Sequence, residues 1–311
     1  MKKFIGISLF LAAIIYGINF GMDILISNKF QHNTNRKYVG WNEIIHQQLN
    51  ADIVIMGSSR AWVQYNPFVL DSILSINSYN LGIDGSNINR QITKYNVYAH
   101  YQNSIPKCIL INIDYVSTLF CGTGYEREQF FPMMIDPYLR KEICQVEPFS
   151  FPELYIPIYR YTTYKGLYLV LKEASYNGMS IYKGYQGQES LWNGEAYNDM
   201  EIFHFQPDER ALEMFNDFLR ERQSEGIQII FCYAPIYSGL TEKVDNMEEV
   251  YNIYETLSQR FQIPIIDYNY DKMCSDTTLF YNATHLNKKG AEIFSVKLAH
   301  DLDSLGIINF Q

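Results

Sequence analysis

Three short stretches hold residue types that could together perform acyl chemistry: Gly57-Ser58-Ser59-Arg60, Asn80-Leu81-Gly82-Ile83-Asp84-Gly85, and Asn282-Ala283-Thr284-His285-Leu286-Asn287. A serine hydroxyl is a poor nucleophile until a neighbouring imidazole takes its proton. Ser59 follows a glycine turn at the expected start of a helix, where free N–H groups can stabilise an oxyanion. Gly82 and Gly85 would let backbone N–H groups approach a bound oxygen closely. Of the six histidines, His285 falls in an expected loop between a strand and a helix. His32 and His46 lie near the N-terminal segment and His100 and His300 within expected helices, which leaves His204 as the competitor. Each stretch also has a plainer reading. Gly-Ser turns after strands are common, paired glycines mark ordinary turns, a lone His is more often simply hydrogen-bonded, and Asn287 can be the N-cap of the last helix.

The elements that must position these residues alternate along the chain. Asp52-Ile53-Val54-Ile55-Met56 is a short apolar run ending in a turn, the pattern of a strand buried on both faces. Asn66-Pro67 opens a helix to about residue 76, proline being favourable in the first turn. A second strand ends near Asn80, a helix covers about 87–102, and Cys108 to Asp114 is a third strand. The rhythm resumes with helices over about 208–225 and 247–261, strands over 227–233 and 263–267, and a last helix over about 288–305. Such alternation predicts a parallel sheet with helices on both faces, and ligands then bind beyond the carboxyl ends of the strands. All three stretches follow strands. Residues 120–205 break the rhythm: they are rich in proline and hold Tyr155, Tyr159, Tyr161, Tyr164, Tyr168, Tyr176, Tyr182, Tyr185 and Tyr197. They read as an insertion over the strand ends, helical in parts, whose tyrosines could stack on sugar rings or pack as an irregular lid.

The set and its order resemble the SGNH (GDSL-like) hydrolases, which implies an α/β, flavodoxin-like three-layer fold with a parallel sheet. In that family the nucleophile lies in an N-terminal G-D-S turn, and the base histidine in a C-terminal D-x-x-H. Its oxyanion hole uses the serine amide, a second-block glycine and a third-block asparagine. Gly57-Ser58-Ser59 matches the first motif, which makes Ser59 the nucleophile and puts Ser58 at the usual aspartate, with Arg60 beside them. Gly85 matches the second-block glycine and Asn80 the asparagine that often opens that block. Asn282-Ala283-Thr284-His285 matches D-x-x-H, and the following Leu-Asn-Lys-Lys-Gly290-Ala-Glu resembles envelope-associated members. The resemblance covers about residues 51–118 and 206–305.

Two positions depart from the pattern. Asn282 stands where the family has aspartate; in serine proteases the corresponding Asp→Asn change costs roughly 10⁴ in turnover, largely through the wrong tautomer. Asp276, Asp271 or Asp267 could supply the missing carboxylate, or Ser59 and His285 could act as a dyad. The third block lacks its asparagine: Asn112 falls inside the expected strand, and Asp114, before Tyr115, is the better site candidate.

The N-terminus sets the location. Lys2 and Lys3 precede an apolar run from Phe4 to about Ile26, interrupted by Ser8, Asn19 and Asp23. Such a run can cross a hydrocarbon core of roughly 30 Å, and the lysines predict a cytoplasmic N-terminus with the bulk of the chain outside. No A-x-A cleavage site follows, so residues 1–26 read as an uncleaved signal anchor touching membrane lipid rather than a signal peptide. Residues 27–50 read as a polar juxtamembrane spacer, and residues 51–311 as the α/β domain. A net charge of -9 gives no pull toward nucleic acid. The five cysteines are scattered without a C-x-x-C, so neither a zinc site nor a disulfide framework is expected, and the chemistry needs no cofactor. Membrane-tethered relatives commonly move or remove acyl groups on cell-envelope polymers. The resemblance therefore implies an extracytoplasmic esterase or O-acyltransferase using an acylated glycan or an acyl donor, with a membrane acyl-donor protein as a candidate partner. A catalytically weak scaffold that binds glycan or a membrane partner is the alternative.

Overall fold

The computed structural model describes residues 1–114, 117–123, 125–164, 166–175, 183–192 and 201–306. Tyr115, Tyr176, Tyr182 and Tyr197 lie outside the described residues. In chain order the first helices are α1 (Lys2–Gln31) and α2 (Arg36–His46), followed by strand β1 (Ile53–Met56). Next come α3 (Ser59–Gln64), α4 (Pro67–Leu74), β2 (Ser78–Asn80), α5 (Ile88–Tyr101) and β3 (Cys108–Asn112). The middle holds a 3-10 helix (Arg127–Ile135), α6 (Pro137–Val146), α7 (Phe151–Tyr155), α8 (Tyr159–Tyr164) and α9 (Leu167–Ala174). The last part holds α10 (Glu209–Ser224), β4 (Gln228–Tyr233), α11 (Ser238–Thr241), α12 (Met247–Phe261) and β5 (Ile265–Asp267). The small antiparallel pair β6 (Phe280–Asn282) and β7 (His285–Leu286) then leads into α13 (Lys288–Ser304).

The chain divides into two compact units. The larger, Ile44–Gly122 with Ile181–Gln311, is built on a five-stranded parallel sheet in the order β2-β1-β3-β4-β5. That order is one of the two common doubly wound arrangements, and it reverses direction between β1 and β3. β1 and β3 are buried at every residue, as a strand covered on both faces must be. One face (Ile53, Ile55, Leu110, Ile230) packs on Leu70 of α4 and on Phe294 and Leu298 of α13. On the other, Phe215 of α10 lies 5.7 Å from Phe231, and Tyr95 of α5 meets Phe218 edge-on at 5.3 Å. Helix starts follow local chemistry. The Asn66 side chain accepts from Phe68 N–H at 3.0 Å, Asp208 from Arg210 N–H at 2.9 Å, and Asn287 from Gly290 N–H at 3.0 Å.

The smaller unit, Met1–Glu43 with Thr123–Ser180, is helical. Here the structure departs from the expected anchor, spacer and domain. α1 does not end near Ile26 but runs 30 residues to Gln31, and α2 follows almost at once. Ile26 and Phe30, four residues apart and so on one helix face, pack with Tyr38, Phe131, Tyr161 and Val170. Residues 27–43 are therefore part of a folded body, not a spacer. The expected insertion is also divided, because residues 183–192 belong to the sheet unit. There Lys183 O accepts from Asn80 N–H at 2.9 Å and Trp62 O from Gln186 N–H at 3.2 Å.

Candidate active site

Gly57 follows β1 with φ of +152°, and a Cβ there would lie 2.7 Å from the Ala61 Cβ and 3.0 Å from the Asn112 Cβ. Only glycine lets the chain turn this tightly from strand to helix. Ser58 is the N-cap position of α3 and Ser59 its first residue, so the Ser59 amide has no intrahelical acceptor. The β6–β7 turn delivers the second group. His285 Nε2 lies 2.7 Å from Ser59 Oγ, across 226 residues of sequence.

The geometry fixes the tautomer of His285. Thr284 N–H, which can only donate, lies 3.0 Å from Asn282 Oδ1. The same oxygen is 2.9 Å from His285 Nδ1, so Nδ1 carries the proton and donates it. Thr284 Oγ1 donates to Asn282 Oδ1 at 3.0 Å and accepts a share of the Nδ1 proton at 2.7 Å. Nε2 is then left as an acceptor for the Ser59 hydroxyl. Tyr281 stacks on the imidazole at 5.2 Å between ring centroids and limits its rotation.

Burial of the half-buried ring, and next the Arg60 guanidinium, push the His285 pKa down to about 4, against the opposing pull of the Asp114 carboxylate. The imidazole is thus neutral at physiological pH and free to take a proton. Arg60 is itself buried. Its guanidinium donates to Ala234 O and lies 5.3 Å from the Tyr233 ring centre, while Nε and Nη1 have no partner among the described residues. Asp114 accepts from Ser117 Oγ at 2.6 Å, from Ser117 N–H at 2.6 Å and from Ser58 Oγ at 3.3 Å.

Ser58, Ser59, Arg60, Gly85, Asp114 and His285 line one cavity of about 230 Å³, joined by Ser86, Asn87, Ser117 and Thr284. It lies past the ends of β1 and β3, where a doubly wound sheet of this order binds its ligand. Gly85 takes φ of +60° there. Two expected site residues do not line the cavity: Asn282, which bonds to His285 from behind, and Asn80. The Asn80 amide nitrogen donates to Ala61 O (2.7 Å) and Tyr65 O (2.9 Å), and its oxygen accepts from Gly82 N–H (2.8 Å). Fully buried and fully engaged, Asn80 braces α3 against the β2 loop and does not reach the cavity.

The three alternative carboxylates are occupied elsewhere. Asp276 accepts from Thr278 N–H at 3.0 Å, Asp271 from Met273 N–H at 3.0 Å, and Asp267 from Asn269 N–H at 2.8 Å. The competitor His204 pairs with Asp245 at 2.9 Å on an exposed surface. Asn112 is the last residue of β3 and accepts from the Tyr65 hydroxyl at 2.9 Å. Sequence reasoning missed Ser86, Asn87, Ser117 and Thr284. Of these only Thr284, inside the Asn-Ala-Thr-His stretch, carried any sequence signal. The five cysteines are unpaired thiols.

No protein-family model matches the sequence, and the search of characterised proteins finds no match. Among solved structures, a Bacteroides fragilis protein provisionally described as an acylhydrolase aligns over 81% of this chain and 86% of its own, at 11% identity and a TM-score of 0.39. A likeness at that level carries no argument, so the functional reading rests on the geometry of the site.

Proposed function

We propose that this chain is a membrane-anchored serine esterase or O-acyltransferase of the SGNH type, working through an acyl-Ser59 intermediate. The observation that carries the reading is the 2.7 Å contact between Ser59 Oγ and the unprotonated nitrogen of His285. Ser59 Oγ attacks the acyl carbonyl as its proton passes to His285 Nε2. The imidazolium then protonates the departing alkoxide, leaving the acyl ester on Ser59. A water or sugar hydroxyl gives its proton to His285, attacks the ester, and frees the serine. Asn282 holds the imidazole in the tautomer this cycle needs. The amides of Ser59 and Gly85 hold the oxyanion, and the Asn87 side chain lines the same cavity, where it takes the part of the family's third-block asparagine.

A cavity of about 230 Å³ suits a short acyl group. Its many hydroxyl-bearing lining residues suit a polar ester, such as an acylated sugar of the cell envelope. α1 is long and apolar enough to cross a membrane; we read it as the anchor, with the bulk of the chain on the extracytoplasmic side, where an acylated glycan or a membrane acyl donor would be met. The test is turnover of short acyl esters, with and without an oligosaccharide acceptor, by the full chain in bilayer nanodiscs. Ser59→Ala is expected to lose at least about 10³ in rate. Turnover unchanged in Ser59→Ala would remove the enzyme reading.

A further inference from the structure

Within the helical unit that contains α1, the described residues of α7, α8 and the start of α9 expose a largely aromatic and aliphatic surface, with Lys172 exposed at the end of α9. Among the described residues from Phe151 to Leu171, none that is exposed carries a charge. Phe151 is 71% exposed and Tyr168 76%, with Tyr155, Ile156, Tyr164 and Leu169 also open. The two charged side chains described in that stretch are turned inward and paired. Glu153 accepts from Arg127 at 2.7 Å, and Arg160 is bound to Asp23 of α1. A described surface of tyrosines, threonines and aliphatic residues, with the Lys172 ammonium at its edge, matches the boundary of a bilayer, where amphipathic aromatic rings concentrate and lysines snorkel toward the headgroups.

Contacts with α1 give the depth. Tyr16 Oη donates to Tyr155 O at 3.3 Å, and the Asp23 carboxylate accepts from Ile158 N–H at 2.7 Å. Residues 155–158 thus run beside residues 16–23 of the apolar helix. At 1.5 Å per residue, the stretch from Lys2 to Tyr16 is only about 21 Å long, short of the roughly 30 Å a hydrocarbon core demands. The hydrocarbon must therefore reach about six residues beyond Tyr16, to the level of Asp23, the first acidic residue of the helix. The Tyr155 backbone then lies about 10 Å inside that boundary.

We infer that α7, α8 and α9 are embedded in one leaflet of the bilayer, so that the helical unit is a monotopic membrane platform around α1 and not a water-exposed body on a single-pass stalk. The occupant of this surface is the lipid acyl and glycerol region. The buried Asp23–Arg160 pair fits the same picture, since an unpaired charge at that depth would be costly. The inference rests on the reading of α1 as membrane-spanning, and it is independent of the chemistry at Ser59.

The experiment is photocrosslinking of the full chain in phosphatidylcholine–phosphatidylglycerol vesicles containing a lipid with an acyl-chain diazirine, with adducts located by mass spectrometry. Adducts are expected on α1 and on residues 149–171, each at least about tenfold above the unirradiated sample. Adducts on α1 alone would overturn the platform while leaving the anchor intact. Adducts on neither would overturn the anchor and the platform with it. Tyr168→Asp combined with Leu169→Asp alters two exposed side chains and is expected to cut adducts in 149–171 by roughly tenfold while sparing those on α1. An unchanged adduct pattern in that variant would also overturn the inference.

Discussion

Replacing Asn282 by aspartate puts a charge where the amide oxygen already sits, 2.9 Å from His285 Nδ1. In serine proteases the opposite change costs roughly 10⁴ because the amide admits the wrong tautomer. Here Thr284 N–H, 3.0 Å away, already forces the amide oxygen toward the ring, so the tautomer is right before the substitution. What Asn282→Asp adds is charge assistance alone. A neutral hydrogen bond contributes about 0.5–1.5 kcal/mol and a charged one about 1.5–3 kcal/mol, a gain of about 1–1.5 kcal/mol for the imidazolium. That difference raises the acylation rate about 5- to 15-fold. It also lifts the His285 pKa by about one unit at 1.36 kcal/mol per unit, from its lowered value of about 4. Activity needs the neutral ring, so it falls as pH drops through that pKa, and the acid limb of kcat/KM moves upward in the variant. The assay is kcat/KM for a short acyl ester between pH 3.5 and 8 for both proteins (the range brackets about 4 and the ordinary 6.5). A tenfold loss in Asn282→Asp, or an acid limb that stays in place, would refute the assignment of Asn282 as the orienting group.

Other perturbations separate the remaining parts of the site. Arg60→Met removes the second-largest cause of the low His285 pKa, so the acid limb should move from about 4 part of the way toward 6.5 in a pH–rate profile; burial, the larger cause, stays. Gly57→Ala forces a Cβ to within 2.7 Å of the Ala61 Cβ at φ of +152°. The cost should be about 1–3 kcal/mol in denaturant titration, with a large loss of activity as Ser59 shifts. Asn87→Ala should lower kcat by about 10- to 10³-fold with little change in KM if its amide meets the oxyanion, measured on the same short ester. Acetyl esters should exceed octanoyl esters by at least about tenfold in kcat/KM, as a cavity of about 230 Å³ requires.

Much of this arrangement is legible in the sequence, for physical reasons. Ile53–Met56 and Cys108–Asn112 are continuous apolar runs because both faces of the sheet are covered, and the caps Asn66, Asp208 and Asn287 announce their helices. Ser59 is legible because it opens a helix just after a strand of the parallel sheet, where such a sheet exposes side chains. His285, expected in a loop, opens strand β7 of the separate β6–β7 pair and is legible by its place just before α13. Asn80 misleads, because an asparagine beside a glycine turn serves equally to brace three backbone groups, and that demand depends on where α3 packs. The course of α1 past Ile26 is hidden by Asn28, Lys29 and Gln31, which read as a polar spacer. Phe30 is buried by Tyr38 of α2 and by Phe131 and Tyr161, the last two more than 90 residues later. Ser86 and Ser117 leave no periodic trace, and their place in the cavity comes from tertiary structure alone.

The central claim is that Ser59 is a nucleophile activated by His285, and covalent labelling reads it most directly. A fluorophosphonate probe incubated with the full chain in nanodiscs should attach to Ser59, at a rate at least about 10²-fold lower in His285→Ala and with no adduct in Ser59→Ala. Equal labelling of the wild type and Ser59→Ala, or an adduct mapped to another residue, would contradict it.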